Sequence, residues 1–402
     1  MKYRTSLFFR RAASLLCLFV FLLPVFSAWG ESVSFEEEVS TIFKRWRTAG
    51  GMIVIAKDGE IVYEQCYGYA DLTAKDPVTP DTYFKIASVT KLVTAVAVMK
   101  LVEAGRLDLD ENIGHVLGNP SYEAAHPSYP QVSVTARMLM THTAGINDSS
   151  QAFVKRQPLR QILDPKENKS KSGFLKKQKP GTKYVYSNFG AGILGSIIES
   201  VTGKRLTDAV RELLFDDLDI DAAYDAHLVR DPEKIVTTYE ANGNIQKTRS
   251  YRLNRESYDE TLNPDRDYDE SHGKLWIKGR DLCRIGIILC EMGVIDGQRI
   301  LREETVREMI SSQSGKGGIT ADSPYGLNVE RNNTLIRDNP DKIIYGHQGL
   351  SDGVVCNLYF DPETHFVFAL VTSGCNTNAK QNRICTLTRE LFALMWSAYS
   401  GE

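Results

Sequence analysis

Hydrophobic and polar residues follow two different periods between Phe35 and Asp71. Phe35 to Thr48 carries apolar residues at helical spacing, which predicts an amphipathic helix. The run that follows, "GMIVIAKDGEIVYEQCYGYAD", contains two segments rich in β-branched and aromatic residues, joined by Asp58-Gly59. Asp-Gly is a strong signal for a two-residue hairpin turn. This part of the chain therefore predicts a helix followed by two antiparallel strands.

The next patterned stretch is "FKIASVTKLVTAVAVMKLVEAG", from Phe84 to Gly105. From Leu92 to Val102 the apolar residues leave almost no polar face on the helix that they predict. A helix that is apolar all round is usually buried inside a protein. We therefore expect a central, buried helix that ends at Gly105.

From about Asp108 to Gln313 the pattern is mainly helical, with long polar connections. Two helices broken near Gly203 are predicted in "FGAGILGSIIESVTGKRLTDAVRELLF", and another in "GRDLCRIGIILCEMG". Three further strands are predicted in "DKIIYGHQG", "GVVCNLYF" and "HFVFALVTS". A closing helix is predicted from Ala379 to Tyr399.

Strands near both chain ends, with helices between them, predict an α+β fold. We expect an antiparallel sheet flanked by helices and built from both chain ends, with an inserted, mainly helical lobe. The α/β lobe would comprise about residues 31–107 and 314–402, and the helical lobe about residues 108–313, within one domain of residues 31–402. A ligand site would lie in the crevice between the lobes.

Residues 1–30 have a different composition and are predicted to be a secretory signal peptide. Four basic residues precede the apolar run Ala12 to Phe26, and small residues flank Trp29 before a predicted cleavage point near Gly30. The apolar run is shorter than the roughly 20 residues that a membrane-spanning helix needs. We therefore expect an exported protein, periplasmic or extracellular, with no stable membrane span.

The overall composition is that of a soluble globular protein: 402 residues, 42% hydrophobic and 25% charged. The formal charge is −3, and loss of the basic residues in 1–30 would make the chain more acidic, so nothing indicates nucleic-acid binding. We expect the cysteines to be mostly buried or occasionally paired, without a catalytic role. Beyond residue 30 these are Cys66, Cys283, Cys290, Cys356, Cys375 and Cys385.

Ser88 and Lys91, at the start of the predicted buried helix, allow two interpretations. Ser is a favoured helix N-cap, so Ser88 could simply cap the helix. Lys91 would then oppose the helix dipole, at a cost of about 0.3–1 kcal/mol. Residues three apart on a helix share a face, so a neutral Lys91 could instead take the Ser88 proton. An ordinary Lys has a pKa near 10.4, so something must hold Lys91 deprotonated, or another group must act as the base.

Two further motifs supply candidate partners. "KYVYSNFG" places Tyr186 and Asn188 just before a helix, where both can project the same way. "IIYGHQGLSDG" places His347 and Gly349 on a predicted strand, where the glycine would let a substrate approach the backbone closely. A nearby protonated Lys would lower the pKa of a Tyr phenol, which makes Tyr186 a candidate general base.

The ordered motifs "SVTK", "YSN" and "HQG" resemble those of the serine β-lactamase and penicillin-binding-protein superfamily. The resemblance is strongest to the class C-like branch, which includes esterases and D-amino-acid peptidases, and it covers nearly the whole chain beyond residue 30. "MLMTHTAGI" and "DGQRILREETVREMI" also resemble this branch. The resemblance implies a serine hydrolase that cleaves an ester, amide or D-peptide bond through an acyl-enzyme, with no cofactor and no metal.

The resemblance also implies roles for single residues. Ser88 would be the acylated nucleophile, Lys91 its proton-transfer partner, and Tyr186 the base and leaving-group acid. The implied substrate-binding residues are Asn188, His347, Gly349 and Leu350, with the Leu350 and Ser88 N–H groups forming the oxyanion hole.

The third motif departs from the family pattern, because His347 stands where many β-lactamases and cell-wall carboxypeptidases have Lys. His titrates near pH 6.5, so it is a less certain cation for a substrate carboxylate. The His-x-Gly form resembles esterases and D-amino-acid peptidases more than efficient β-lactamases. A true class C-type β-lactamase or a D-Ala carboxypeptidase therefore stands as an alternative.

A different class of function also fits the motifs: a penicillin-binding or ligand-sensing protein on the same fold, with slow or no turnover. The partner in either case would be a small molecule or a peptide, such as a cell-wall fragment. Oligomeric state is not indicated by any pattern in the sequence.

Three other patterns have simpler explanations. "GLSDG" from Gly349 to Gly353 matches the nucleophile motif of α/β-hydrolases, but a strand follows it where a helix is needed. Alternating acidic residues around Asp219 and Asp267 lack the Gly and Glu of a calcium loop, so they predict solvated loops. His142, within "THTAG", is expected to make local hydrogen bonds in the helical lobe.

Overall fold

The computed structural model describes residues 34–118, 121–149, 157–168, 173–241, 245–249, 261–377, 380–381 and 383–402. The predicted signal peptide, residues 1–30, lies outside the described residues. Within these ranges, no helix is both long enough and apolar enough to cross a bilayer.

In the described part of the chain, seven strands form one antiparallel sheet with the spatial order β4-β5-β6-β7-β1-β2-β3. The strands are β1 (Gly50–Lys57), β2 (Glu60–Asp71), β3 (Asp76–Pro77), β4 (Glu330–Asn332), β5 (Ile344–Ser351), β6 (Val354–Asp361) and β7 (Phe366–Ser373). The first and last parts of the chain meet where β1 pairs with β7, for example at Ile53 and Leu370. The predicted α+β fold, with a sheet built from both chain ends, is confirmed.

The β1–β2 hairpin turns at Asp58 and Gly59, as the sequence predicts. Both residues have positive φ, 53° and 82°. Two such residues in succession match the right-handed twist of the flanking strands, which is why Asp-Gly is favoured there. The local sequence alone therefore sets this turn.

The helices are α1 (Phe35–Arg45), α2 (Thr90–Glu103), α3 (Ile113–Val116), α4 (Ala136–Met140), α5 (Leu159–Leu163), α6 (Asn188–Thr202), α7 (Leu206–Val210), α8 (Gly279–Cys290), α9 (Glu303–Ile310) and α10 (Thr386–Tyr399). The predicted break near Gly203 lies between α6 and α7. Gly203 takes a left-handed conformation there, with φ 71°, and ends α6. Chain beyond α7 continues as a π-helical turn, Arg211–Phe215.

Short strands outside the large sheet form two-stranded pairs. Tyr83–Lys85 pairs with Trp276–Lys278, and Ala125–His126 pairs with Tyr129–Ser133. The other pairs are Thr238–Ala241 with Ile245–Arg249, Val294–Ile295 with Gln298–Arg299, and Lys380–Gln381 with Ile384–Cys385.

The last of these hairpins changes the predicted closing helix. The helix was expected to begin at Ala379, but α10 begins at Thr386 because the chain first forms the pair Lys380–Gln381 and Ile384–Cys385. Arg383, between the two short strands, has φ 67°, which is incompatible with a continuing helix.

Helices α1 and α10 cover one face of the large sheet. Phe43 of α1 and Phe392 of α10 belong to one buried cluster with Ile53 and Phe368 from the sheet. Burying large apolar side chains of this kind supplies roughly 1.5–3 kcal/mol each. Helices α1 and α10 are therefore fixed to the same face of the sheet.

On the opposite face lie α2 and α8. Residues Thr90 to Met99 of α2 are all buried, which confirms the central helix predicted from the apolar pattern. On α8, a Cβ at Gly286 would meet Val367 and Leu358 of the sheet at 2.5 and 2.7 Å, so the glycine permits close packing. The predicted boundaries between the two lobes stay a prediction. Those boundaries assign α8 to the helical lobe, but α8 packs against the large sheet.

The cysteines that the structure describes are free thiols. Cys66 is half-buried, and the other five are buried. Burial raises the pKa of these thiols; for Cys356 the pKa rises to about 12. Buried thiols with raised pKa values are poor nucleophiles.

Candidate active site

Ser88 lies in a 3₁₀ turn, Ala87–Val89, immediately before α2. The N-cap position of α2 is Val89, and no side-chain cap bond is present there. The interpretation of Ser88 as a helix cap is therefore wrong. Ala87, next to Ser88, has φ 45°, a conformation that costs a non-glycine residue about 1 kcal/mol or more. The sequence around Ala87 carries no signal for this conformation.

Lys91 is completely buried and contacts three oxygen atoms. Its Nζ lies 3.2 Å from Ser88 Oγ, 2.8 Å from Asn188 Oδ1 and 2.6 Å from the main-chain oxygen of His272. Burial lowers the pKa of Lys91 to about 7, although the carboxylate of Asp148 acts in the opposite direction. The amine is therefore substantially neutral near pH 7, which meets the requirement that the sequence left open.

A neutral amine has two N–H donors and one lone pair. The oxygens of Asn188 and His272 can only accept, so they occupy the two N–H groups. The lone pair then remains for the hydroxyl of Ser88. This arrangement suits removal of the Ser88 proton by Lys91.

Tyr186 completes the group around Ser88. Its ring centroid lies 5.2 Å from Lys91 Nζ, and its phenol is hydrogen-bonded to Ser88. Burial raises the pKa of this phenol well above its ordinary value. The expectation of a lowered Tyr186 pKa is therefore wrong for the free protein, because desolvation by burial dominates. Tyr186 is an un-ionised phenol that can pass a proton to or from Ser88.

Asp148 holds the motif that contains Tyr186 and Asn188. Its carboxylate accepts hydrogen bonds from Ser187 Oγ at 2.6 Å, from the Asn188 N–H at 2.7 Å and from the Phe189 N–H at 3.0 Å. These groups form the start of α6, where a negative charge is favourable. No sequence signal marks Asp148, because nothing in its own neighbourhood connects it with a helix that begins forty residues later.

His347 is buried next to the same site. Its Nδ1 lies 2.7 Å from the main-chain oxygen of Gln348, to which it donates. Burial, and then the proximity of Lys91, lower the pKa of His347 to about 3. His347 is therefore neutral, and it supplies no fixed positive charge in place of the family's Lys.

His142 lies behind Tyr186. The two ring centroids are 4.3 Å apart, and His142 Nδ1 accepts a hydrogen bond from the Ser187 N–H at 3.2 Å. Burial lowers the pKa of His142 well below its ordinary value. His142 thus makes a local hydrogen bond, as expected, and its ring packs against the ring of Tyr186.

Gly349 brings β5 against the turn that carries Ser88. A Cβ at this position would lie 2.3 Å from the main-chain oxygen of Ile86 and 3.1 Å from the Ser88 nitrogen. The sequence predicts that this glycine lets a substrate approach the backbone closely. In the structure it instead lets β5 approach the turn that carries Ser88. Leu350 follows on the same strand and lines the cleft with Ser88.

The predicted site residues meet at a cleft of about 500 Å³. Ser88, Tyr186, Asn188, His347 and Leu350 line it, with Lys91 and Gly349 directly behind. Tyr184 and Gln348, which lie inside the quoted motifs, also line it. Further walls come from residues that no motif or periodicity marks, because they lie on separate loops and strand ends: Pro324, Tyr325, Glu330, Arg331, Asn332, Asn333, Thr334, Arg383 and Ile384.

The rejected patterns have structural roles. Ser351 ends β5, and a turn at Gly353 leads into β6, so "GLSDG" is a hairpin and not a strand–turn–helix elbow. Asp219 pairs with Arg230 at 3.1 Å, and Asp267 pairs with Arg205. Among the described residues, no group of three or more His, Cys, Asp or Glu side chains is arranged to hold a metal ion.

Comparison with known proteins assigns the chain to a family. The sequence model of the family described as Beta-lactamase matches residues 36–390. Penicillin-binding protein 4* of Bacillus subtilis (strain 168) is 30% identical over 171 residues, which are 41% of this chain and 35% of that protein. Esterase EstB of Burkholderia gladioli is 30% identical over 178 residues, which are 42% of this chain and 45% of that protein. These matches span less than half of the curated relatives' length.

Solved structures share the fold. The octameric penicillin-binding protein homologue from Pyrococcus abyssi has a TM-score of 0.66 at 20% identity, covering 90% of this chain and 76% of that one. The D-amino acid amidase from Ochrobactrum anthropi SV3 has a TM-score of 0.62 at 21% identity, covering 90% of this chain and 97% of that one. At such identities the structures establish the fold alone. Because the family model extends over most of the sequence, the chain belongs to the Beta-lactamase family.

Proposed function

We propose that this protein is an exported serine hydrolase that cleaves an ester, amide or D-peptide bond through an acyl-enzyme on Ser88. The observation that carries the proposal is the buried Lys91, whose Nζ lies 3.2 Å from Ser88 Oγ and whose pKa is lowered to about 7. Strongly perturbed pKa values are concentrated at functional sites, so this buried lysine supports Ser88 as the nucleophile.

In the acylation step, Lys91 accepts the proton of Ser88 as Ser88 Oγ attacks the substrate carbonyl carbon. The bond between that carbon and the leaving group breaks, and the leaving group takes a proton from the Tyr186 phenol. Lys91 then returns its proton to the adjacent Tyr186 phenolate, since its Nζ lies 5.2 Å from the Tyr186 ring centroid. The products are the protonated leaving group and an acyl ester on Ser88.

In the deacylation step, water replaces the leaving group. A water molecule attacks the acyl carbon and gives one proton to the Lys91–Tyr186 pair, the bond to Ser88 Oγ breaks, and the pair returns that proton to Ser88. The acid product leaves, and the free protein is restored. By microscopic reversibility the same two groups serve both halves of the reaction.

Negative charge develops on the carbonyl oxygen in both steps. The N–H groups of Ser88 and Leu350 are the proposed donors, since Gly349 holds β5 against the Ser88 turn. Such backbone donors typically contribute on the order of 100-fold or more to the rate.

The neutral state of His347 bears on the substrate class. A carboxylate held by the third motif needs a positive charge there, and His347 has a pKa lowered to about 3. This supports ester or amide hydrolysis over efficient β-lactam hydrolysis. The names of the relatives, an esterase and a penicillin-binding protein, and of the amidase that shares the fold, are compatible with that range.

The test combines covalent labelling with turnover. A fluorophosphonate probe should add one adduct per chain at Ser88, located by peptide mass spectrometry, and Ser88→Ala should abolish both the adduct and hydrolysis. A panel of a short-chain ester, a D-Ala-terminated peptide and a cephalosporin should show turnover strongest on the ester, because the other two substrates carry a carboxylate and His347 is neutral. The proposal is wrong if folded protein leaves Ser88 unlabelled, or if Ser88→Ala keeps full activity.

The same panel separates an enzyme from a sensor. Stoichiometric acylation of Ser88 that persists for hours, without release of product, would identify a penicillin-binding or ligand-sensing protein. Repeated turnover would identify a hydrolase. Export is tested separately, by N-terminal sequencing of protein recovered outside the cytoplasm, which should begin near residue 31.

A further inference from the structure

Glu330 contributes a carboxylate to the wall of the cleft that holds Ser88. Strand register explains its position, because Glu330 on β4 lies opposite Gly346 on β5, which lies opposite Tyr359 on β6. With no side chain on Gly346 in between, the Tyr359 hydroxyl reaches the Glu330 carboxylate at 3.3 Å. The fold thus fixes the carboxylate at the sheet edge, in the wall of the cleft.

The carboxylate of Glu330 has no positive partner in the described part of the chain: no Lys or Arg nitrogen there lies within 4.0 Å of it. Its hydrogen-bond donors are the neutral groups Asn332 Nδ2, at 3.2 Å, and the Tyr359 hydroxyl. Arg383 also lines the cleft, and its charge acts on Glu330 only from beyond ion-pair distance. Burial raises the pKa of Glu330, and a cation bound beside the carboxylate would offset this effect.

Two aromatic rings lie in the same wall. Tyr184 and Tyr325 line the cleft, with ring centroids 5.9 Å apart and planes inclined by 18°. Tyr325 is also bridged through its backbone to Glu330. Tyrosine rings beside a carboxylate attract organic cations, because the ring faces carry partial negative charge.

We propose that Glu330, with the rings of Tyr184 and Tyr325, forms a subsite for a positively charged nitrogen of the substrate. The ligand class is an organic ammonium group, carried on the acyl part or on the leaving group of the ester or amide. This inference rests on the proposed hydrolase function and narrows its substrate class. It makes Glu330 a specificity-determining residue, separate from the groups that move protons.

The experiment compares substrates that differ only in charge. One pair consists of a choline ester and its analogue in which carbon replaces the quaternary nitrogen. The second pair consists of an ester whose acyl chain ends in a trimethylammonium group and its analogue that ends in a tert-butyl group. A fifth ester, of similar size, ends in a carboxylate. Hydrolysis is followed by titration of the released acid, and the measured quantity is the ratio of kcat/KM within each pair.

We expect a ratio of roughly ten or more in favour of the ammonium ester in at least one pair. Glu330→Gln keeps the shape and removes the charge, so this ratio should fall close to one. Glu60→Gln is the matched control, because Glu60 is exposed on β2 and does not line the cleft. Its ratio should equal that of the unaltered protein.

Two results would overturn the subsite: a preference of the unaltered protein for neutral or carboxylate-ended esters, or an ammonium preference that survives Glu330→Gln. The first needs no variant, so the proposal stays testable if the Gln variant does not fold. Failure of the underlying function looks different, since then no ester is hydrolysed and Ser88 takes up no acyl probe.

Discussion

The Nζ atom of Lys91 lies 2.6 Å from the main-chain oxygen of His272, a residue 181 positions later in the chain. This contact and the one to Asn188 Oδ1 hold the amine in a fully buried place beside Ser88. The lysine therefore has fixed acceptors for two protons and little access to solvent. Its protonation state should govern the reaction.

The pH dependence of acylation should follow Lys91. Because burial lowers the pKa of Lys91 to about 7, the amine is protonated below that pH and neutral above it. We expect kcat/KM for a neutral ester to fall about tenfold per pH unit below pH 7 and to level off above it. Lys91→Arg should remove activity at every pH, because a guanidinium does not deprotonate in this range.

Lys100 gives a matched control for this prediction. It lies on the same helix, with Nζ 3.2 Å from the main-chain oxygen of Ile300 and away from the cleft. Lys100→Arg should leave the pH profile unchanged. A profile that stays flat between pH 5 and 8 in the unaltered protein would contradict the role of Lys91 as the base.

Removing the charge of Asp148 should move that profile. The Asp148 carboxylate raises the pKa of Lys91, so Asp148→Asn should shift the acid limb to lower pH. Asp148→Ala also removes the acceptor for the Asn188 and Phe189 N–H groups, which should lower the free energy of unfolding by about 1–2 kcal/mol. Kinetics across pH and urea unfolding measure the two effects. Asp225→Asn, at a remote 3₁₀ turn, should leave the profile in place.

Gly349→Ala should disrupt the turn Ala87–Val89, which carries Ser88. The new Cβ would lie 2.3 Å from the main-chain oxygen of Ile86, so β5 and the turn must separate, at a cost of roughly 1–3 kcal/mol. Because the separation moves the proposed oxyanion donors apart, kcat should fall by about 100-fold or more. Gly273→Ala is the control: its Cβ would lie 3.8 Å from Ala87, at ordinary contact distance. Equal activity of the two variants would argue against this packing role.

A buried ion network should stabilise the segment that presents His272. Arg205 Nη1 lies 3.2 Å from Glu199 Oε1 on α6 and also contacts Asp267. Burial raises the pKa of Glu199 to about 8, and Arg205 opposes that rise. Arg205→Ala removes this donor from Glu199 and Asp267 and should lower the free energy of unfolding by about 1–3 kcal/mol, as measured by urea denaturation.

The more exposed pair formed by Arg211 with Asp208, at 3.4 Å, is the comparison for that measurement; Arg211 Nη2 also donates to the main-chain oxygen of Leu228 at 3.2 Å. Arg211→Ala should cost less than about 1 kcal/mol, because solvent screens an exposed pair. If Arg205→Ala and Arg211→Ala lower the free energy of unfolding by similar amounts, burial does not strengthen the contacts of Arg205.

The sequence predicted the architecture because each main element has a strong local pattern. The Asp58-Gly59 turn, the all-apolar α2 and the strands around His347 follow from residue periodicity and turn chemistry, which act over a few neighbours. The start of α10 was misplaced, since the short hairpin at Ile384 depends on contacts with distant parts of the chain, such as the bond from the Cys385 N–H to Gln348.

For the site, the sequence by itself determined which chemical groups are present: a Ser and a Lys three residues apart, a Tyr with an Asn, and a His with a Gly on a strand. Tertiary structure alone decided their states. Burial makes Lys91 a base near pH 7, keeps Tyr186 un-ionised and holds His347 neutral, and packing brings Asp148 and Glu330 to the same region. The physical reason is that a pKa depends on solvent exclusion and on charges nearby in space, and neither can be deduced from the order of residues along the chain.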